Sequence, residues 1–274
     1  MVADALSSHV DKWTAAEPEL DLSLRFTDSA ARPHVAALIC LDHEIVHAAL
    51  HIAEPDVALV KLNWWTEELA ALAVGAARHP LTQALVGSPG LDTIPAGQWG
   101  KAVSAAFDMR EAAPAATFQD LLARYRQFAE CWAPMQQALY SAMDVDAWIQ
   151  ARSLALALRD ALGLQHALQQ DRLPLPMDLL ARHQLSRGEL AQPSAARDAI
   201  LREHFAILAH AMRAANRRRL TVHAAVQLRA DEYRCRRVRN SGDVLEAGHD
   251  ALARLPFSSA WVAWRTARAM QRKG

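Results

Sequence analysis

The chain has 274 residues, 52% of them hydrophobic and 22% charged, which excludes a disordered protein because enough apolar side chains are present to bury a core. Its 30 Lys and Arg balance 30 Asp and Glu, so no overall charge draws it toward nucleic acid or an anionic membrane. We therefore expect no nucleic-acid partner and at most peripheral contact with a membrane. The three cysteines lack CxxC spacing and fit neither a disulfide framework nor a thiolate zinc site.

Targeting signals are not evident in the sequence. The first ten residues show neither the cationic start nor the apolar run of a signal peptide. No apolar stretch approaches about 18 residues, the length that would be needed to cross a membrane. We therefore expect a soluble, cytoplasmic protein.

Helical patterns follow one another along the whole chain, because Ala, Leu and Arg dominate it and only 10 residues are Gly. The segment 87–100, rich in Gly and Pro, is predicted to be a loop. No segment alternates as a strand does, so we predict a single all-α domain over residues 1–274. In chain order the predicted helices cover 11–26 with an interruption at Pro18, then 31–46, 56–72, 81–86, a helix from 101, 121–143, 144–170, 177–183, 194–215, 220–239, 244–254 and 258–271.

One pattern in the second of these helices is typical of zinc hydrolases. His43 and His47 lie one helical turn apart, His51 follows one turn later, and Glu44 could activate a metal-bound water. Glu67 is a candidate third ligand by its distance in sequence. Nothing else in the chain supports a protease, so a His-based metal site at 43–51 is a minor alternative. The plainer interpretation is a set of polar residues on one helix face.

Three longer motifs resemble the squalene/phytoene synthase family. They read KLNWWTEEL at 61–69, HPLTQAL at 79–85 and RLPLPMDLLARHQLS at 172–186. The resemblance extends over about residues 15–270. It implies an isoprenoid-synthase-like bundle of helices around a central cavity. It also implies, for active members, head-to-head joining of two prenyl diphosphates held through Mg²⁺ by two aspartate-rich motifs on facing helices.

The second of those acidic motifs is missing here. Alignment with the family places Gly163, His166 and Ala167 at its acidic positions, and no carboxylate lies between Asp160 and Asp171. Since Mg²⁺ needs hard oxygen ligands, one complete metal site is absent.

The first acidic motif is only partly retained. It keeps Asp42 and Glu44, the candidate catalytic carboxylates, but has His43 and His47 where further aspartates are expected. The resemblance therefore implies a degenerate member that acts as a lipid-binding or assembly protein, as respiratory complex I assembly factors of this family do. The alternative is a divergent prenyl-diphosphate transferase, and only that activity would require Mg²⁺.

Aromatic and imidazole side chains are the candidates for contact with a substrate or cavity. Trp64 and Trp65 cannot face the same way on one helix, so one is expected in the core and the other at a cavity or interface. Tyr125 and His166 complete this group. An isoprenoid or other lipid is the ligand that such a cavity would take.

A second candidate surface lies in the strongly basic stretch 213–239. Its functional interpretation is binding of a protein partner or an anionic lipid. The plainer interpretation is that these arginines lie on a solvated helix face and pair with acidic neighbours. The residues chosen for this patch are Arg217, Arg218, Arg219, Arg236 and Arg237.

Overall fold

The computed structural model describes residues 2–238, 241 and 243–271, and the regular structure of this part consists of fifteen α-helices and one 3₁₀ helix, without a strand. The prediction of an all-α fold is confirmed. The helices of the first half are α1 (Val2–Ala16), α2 (Pro18–Arg25), α3 (Arg32–Leu50), α4 (Pro55–Ala73), α5 (Pro80–Gln83), the 3₁₀ helix (Leu91–Thr93), α6 (Ala96–Glu111) and α7 (Phe118–Leu139). Those of the second half are α8 (Val145–Leu162), α9 (Leu164–Gln169), α10 (Met177–Arg182), α11 (Arg187–Leu190), α12 (Ala195–Ala214), α13 (Val222–Val238), α14 (Val244–Leu252) and α15 (Ser258–Gln271).

Local signals in the sequence set many of the helix starts. Pro18 occupies the first turn of α2, where its missing N–H costs little. The hydroxyl of Thr117 accepts a hydrogen bond from the amide of Asp120, whose carboxylate accepts one from the amide of Thr117. Ser186 and Glu189 form the same reciprocal cap on α11. The predicted helix end at residue 239 lies outside the described residues.

Three predicted boundaries are wrong. The first helix, expected from residue 11, begins at Val2, and its Leu6, Val10 and Trp13 pack against the core. The helix expected over 144–170 is divided at Gly163, whose ψ of 18° departs from the helical value and ends α8. The helix expected from Lys101 begins at Ala96, and Trp99 in its first turns is 1% exposed and contacts the ring of Trp132 at 6.1 Å. Tertiary packing of this indole outweighs the low helix propensity of a glycine-rich segment.

Three helices, α3, α8 and α13, form the centre of the bundle and are buried on nearly all sides. The remaining long helices surround them, with α7 and α12 against α8, α4 and α6 against α3, and α2 and α15 against α13. A helix buried all round must place its polar residues inside the protein. In the described part of the chain, every helix is too short or too polar to span a bilayer.

Candidate functional site

The predicted carboxylates lie on α3, inside the bundle. Asp42 is 4% exposed and Glu44 is 4% exposed, although both are charged side chains that normally reach water. Because α3 is covered by neighbours on every side, each polar group along it requires a partner within the protein. The identity of those partners determines what the site can bind.

Asp42 is paired with an arginine of α8. Its Oδ1 accepts a hydrogen bond from Nη2 of Arg152 at 2.8 Å, and both side chains are about equally buried. A guanidinium at this distance supplies the positive charge that a metal ion would otherwise supply. Asp42 is therefore already neutralised.

Glu44 faces away from Asp42, toward α1 and α4. It accepts hydrogen bonds from the ammonium of Lys12, from Nε1 of Trp13 at 3.0 Å and from Nζ of Lys61 at 3.2 Å. Burial alone would raise the pKa of Glu44, but the hydrogen bond from Lys12 and the charge of Lys61 outweigh it and lower that pKa to about 2. Glu44 is thus held ionised and fully coordinated by protein donors.

A buried network of five charged side chains lies beside these pairs. Arg159 donates to Glu19 at 2.5 Å, to Asp231 at 2.8 Å and to Glu17 at 3.4 Å. Arg234 donates to both carboxylate oxygens of Glu19 at 2.7 Å and to Asp231 at 2.7 Å. The network joins α2, α8 and α13 at the centre of the bundle.

Sequence reasoning missed this network. A signal for it is present, because Arg152, Arg159 and Asp160 interrupt an apolar helical run that would otherwise be uniformly hydrophobic. Charges at such positions are expensive unless paired. Their partners, however, lie on distant helices and could not be read from the spacing.

Asp160, one residue after Arg159, links the candidate Tyr125 to the 172–186 motif. The hydroxyl of Tyr125 donates to Oδ2 of Asp160 at 2.7 Å, and Nη1 of Arg172 lies 3.0 Å from both of its oxygens. Arg172 also donates to the carbonyl of Leu50 at 2.8 Å, at the end of α3. Burial and the neighbouring Asp160 raise the pKa of Tyr125 well above its usual value. Tyr125 therefore fixes a buried carboxylate.

His47 of α3 and His51, which follows the helix, form a column of rings that continues onto α9. The rings of His47 and His51 are stacked at 5.6 Å, and those of His51 and His166 at 6.3 Å. A side chain built on Gly163 would meet His51 at 3.7 Å. Burial lowers the pKa of His47, and it lowers that of His51 to about 4. The end of α3 and the start of α9 therefore face each other, and imidazoles occupy the interface between them.

A small cavity lies beside this column, between α1, α3 and α8. Its volume is about 80 Å³, and its lining includes His43, His47, His51, Arg152 and Arg159. Pockets that bind drug-sized ligands usually measure roughly 300–1,000 Å³. This space is too small for a prenyl chain in the conformation described here.

The donor set does not fit Mg²⁺. Glu17 is the carboxylate in the cavity lining; its Oε1 lies 3.4 Å from Arg159, and its Oε2 has no hydrogen-bond partner. Asp42, Glu44 and Asp160 are held by arginines or lysines. One free oxygen does not supply the near-octahedral set of oxygen ligands that Mg²⁺ requires. A His-based site is not formed either: among the described residues, no group of three or more His, Cys, Asp or Glu side chains is arranged to hold a metal ion. Glu67, the candidate third ligand, is exposed on α4, and Nδ1 of His43 lies 3.4 Å from Glu17.

The two tryptophans of the 61–69 motif pack against His79 of the 79–85 motif. Trp65 is 1% exposed and its ring lies 5.0 Å from that of His79, whereas Trp64 is 36% exposed at 5.7 Å. Buried Glu68 accepts hydrogen bonds from the amide of His79 and the hydroxyl of Thr82. These motifs join α4 to α5, and neither tryptophan lines the cavity.

The predicted basic patch divides into separate parts. Arg217 donates to Glu232 at 2.9 Å, and Arg236 donates to the same buried carboxylate. Arg218 and Arg219 lie exposed in the turn before α13, and Arg237 lines a surface pocket of about 310 Å³. Two of the five arginines therefore have a structural partner within the chain.

Comparisons with known proteins agree with this architecture. The family model for squalene/phytoene synthase matches residues 15–270. A crystal structure of a dehydrosqualene synthase in complex with ligand superposes with a TM-score of 0.65 at 12% identity, covering 100% of this chain and 98% of that one. A squalene synthase, HpnC from Alicyclobacillus acidocaldarius, gives a TM-score of 0.60 at 12% identity, covering 87% and 94%.

A search of curated proteins found no match. At 12% identity the two solved structures establish the isoprenoid-synthase-like fold alone. The family model, however, covers nearly the whole chain, including the Trp-Trp and RLPLP segments. On that evidence the chain belongs to the squalene/phytoene synthase family.

Proposed function

We infer that this protein is a catalytically degenerate member of its family that does not couple prenyl diphosphates and acts as an assembly or scaffold protein. The observation that carries this proposal is the pairing of Asp42 with Arg152 inside the bundle. At the position of a metal-binding carboxylate, the chain provides its own cation.

The energetics support this interpretation. For Asp42 to bind Mg²⁺, it would have to release Arg152 and leave a buried guanidinium unpaired. Breaking a buried ion pair in this way costs about 3–5 kcal/mol. At the second motif, Gly163, His166 and Ala167 provide no carboxylate at all.

The lining of the cavity also differs from what the family reaction needs. Head-to-head coupling passes through carbocations, which an apolar cavity stabilises by excluding water. Here the ion-paired side chains of Glu17, Arg152 and Arg159 line the cavity. This polar lining does not provide the apolar surroundings that a carbocation needs.

The volume of the cavity favours an assembly role over a lipid carrier. A space of about 80 Å³ cannot hold a prenyl chain without displacement of the surrounding helices. The surface of the bundle is then the part of the protein available for binding.

A direct assay tests the proposal. The purified protein is incubated with farnesyl or geranylgeranyl diphosphate and Mg²⁺, and diphosphate release is measured. We expect none above the level of buffer. Turnover that disappears in Asp42→Asn would show a divergent transferase and overturn the proposal. In native mass spectrometry, a prenyl lipid bound in a ratio of about one to one would replace the assembly role with lipid binding.

A further inference from the structure

The C-terminal helix α15 carries a stripe of large aromatic side chains on its outer face. Phe257 is 103% exposed, Trp261 is 55% exposed and Trp264 is 45% exposed. Phe257 lies immediately before α15, and Trp261, Trp264 and Arg268 are spaced by three and four positions, which places them on one side of the helix. Exposed aromatic side chains grouped in this way mark a binding surface.

The opposite face of α15 fixes the helix to the bundle. Ala263 is fully buried in a small apolar cluster with Val222 and Val226 of α13. At the start of the helix, Nε of Arg229 donates to the hydroxyl of Ser258 at 2.8 Å. The aromatic stripe is therefore held outward by a rigid support.

Arginines lie among the aromatic rings of this face. The guanidinium of Arg265 is 4.7 Å from the centre of the Trp261 ring, and that of Arg268 is 4.9 Å from the centre of the Trp264 ring. Each arginine therefore holds its positive charge over an indole ring. Trp and Arg side by side on the outer face of an amphipathic helix are typical of binding to the polar interface of a membrane.

The charge around α15 is one-sided, although the chain as a whole is neutral. Residues 251–274 contain no Asp or Glu, and their five cations are Arg254, Arg265, Arg268, Arg272 and Lys273. A segment with cations and no acidic side chains of its own attracts anionic phosphate groups. The overall balance of 30 cations and 30 anions conceals this local excess.

We propose that the outer face of α15, formed by Phe257, Trp261, Trp264, Arg265 and Arg268, docks the protein on an anionic phospholipid surface. The aromatic rings enter the headgroup region, and the guanidinium groups bind lipid phosphates. A protein partner would need carboxylates matched to the two arginines, whereas a bilayer offers negative charge at every position. This inference does not depend on the loss of catalysis.

Vesicle sedimentation tests the proposal. The full chain is mixed with neutral phosphatidylcholine vesicles or with vesicles containing phosphatidylglycerol. We expect binding to the anionic vesicles alone. The double variants Trp261→Ser with Trp264→Ser, and Arg265→Glu with Arg268→Glu, should each weaken that binding at least about tenfold.

A matched control separates this face from general attraction by charge. Arg213→Glu with Arg218→Glu changes the net charge equally at exposed positions elsewhere. It should keep binding within about threefold of the parent, since local surface charge falls off within a Debye length. Equal loss in this control and in the Arg265 and Arg268 variant would overturn the proposal.

A second readout reports insertion directly. Brominated lipid acyl chains should quench part of the tryptophan fluorescence, and the Trp261 and Trp264 variant should lose that quenching. Failure of the parent protein to bind either vesicle would overturn the proposal. Light scattering could also overturn it. A dimer that the Trp261 and Trp264 variant converts to monomer, with no vesicle binding by the parent, would show that the face binds a second copy.

Discussion

Replacing Arg159 by methionine tests the buried charge network most directly. The substitution keeps a long side chain but removes the donor to Glu17, Glu19 and Asp231. Arg234 would then be the remaining arginine of a network that contains three carboxylates, and it contacts only Glu19 and Asp231. Removing one partner of a buried ion pair costs about 3–5 kcal/mol, because the other charge stays desolvated. For a chain of this length we expect the melting temperature to fall by about 6–20 °C.

The matched control is Arg126→Met. Arg126 pairs with Glu130 one turn away, and both side chains are about half exposed. Exposed pairs contribute about 0–1 kcal/mol, so its melting temperature should fall by no more than about 4 °C. Thermal unfolding of both variants is followed by circular dichroism at pH 7.5. Equal falls in the two variants would refute the reasoning that the network stabilises the bundle.

Two further predictions concern pH and backbone conformation. Burial lowers the pKa of His204 from 6.5 to about 4, so the unfolded chain binds its proton more readily and stability is lost as pH falls below 6.5. From pH 7.5 to 5 this linkage removes roughly 2 kcal/mol of the free energy of unfolding. Urea unfolding at both pH values should show that His204→Leu loses less stability than the parent over this range, whereas the exposed His210→Gln loses as much as the parent. Gly90 has a φ of 85°, and a Cβ there would lie 2.6 Å from the carbonyl oxygen of Ala138, whereas Gly87 has a φ of 71° with open space around it. Both alanine variants should lose about 1 kcal/mol of the free energy of unfolding to backbone strain. Because of the clash, Gly90→Ala should lose at least about 1 kcal/mol more than Gly87→Ala in urea unfolding. Equal losses would contradict the predicted clash.

The fold could be predicted because its determinants are local. Helical periodicity, the Thr117 and Ser186 caps and the interruption at Pro18 are each contained within a few residues. The errors arose where local preference and packing disagree. A weak helix former at Gly163 divides α8 from α9, while burial of Trp99 extends α6 into a segment whose glycines predict a loop.

The partners of the candidate site residues could not be predicted from the sequence. Helical spacing and the family motifs singled out Asp42 and Glu44, and the structure shows both to be buried. Their partners could not be predicted, because Arg152 is 110 residues from Asp42, and Lys12 is 32 residues from Glu44. An isolated acidic residue in a sequence does not show whether a metal ion or an arginine neutralises it.

The sequence separation within the buried network has a consequence for how the protein is made. Arg234, which binds both carboxylate oxygens of Glu19, is synthesised 215 residues after it. At typical rates of translation this interval is roughly 10–40 s. During that time α2 cannot take its native place, and Leu20 and Leu24, buried in the finished protein, lack their final neighbours on α13. Helix α2 is therefore enclosed only after α13 has left the ribosome, and a chain that stops before α13 leaves Leu20 and Leu24 exposed to chaperones and proteases.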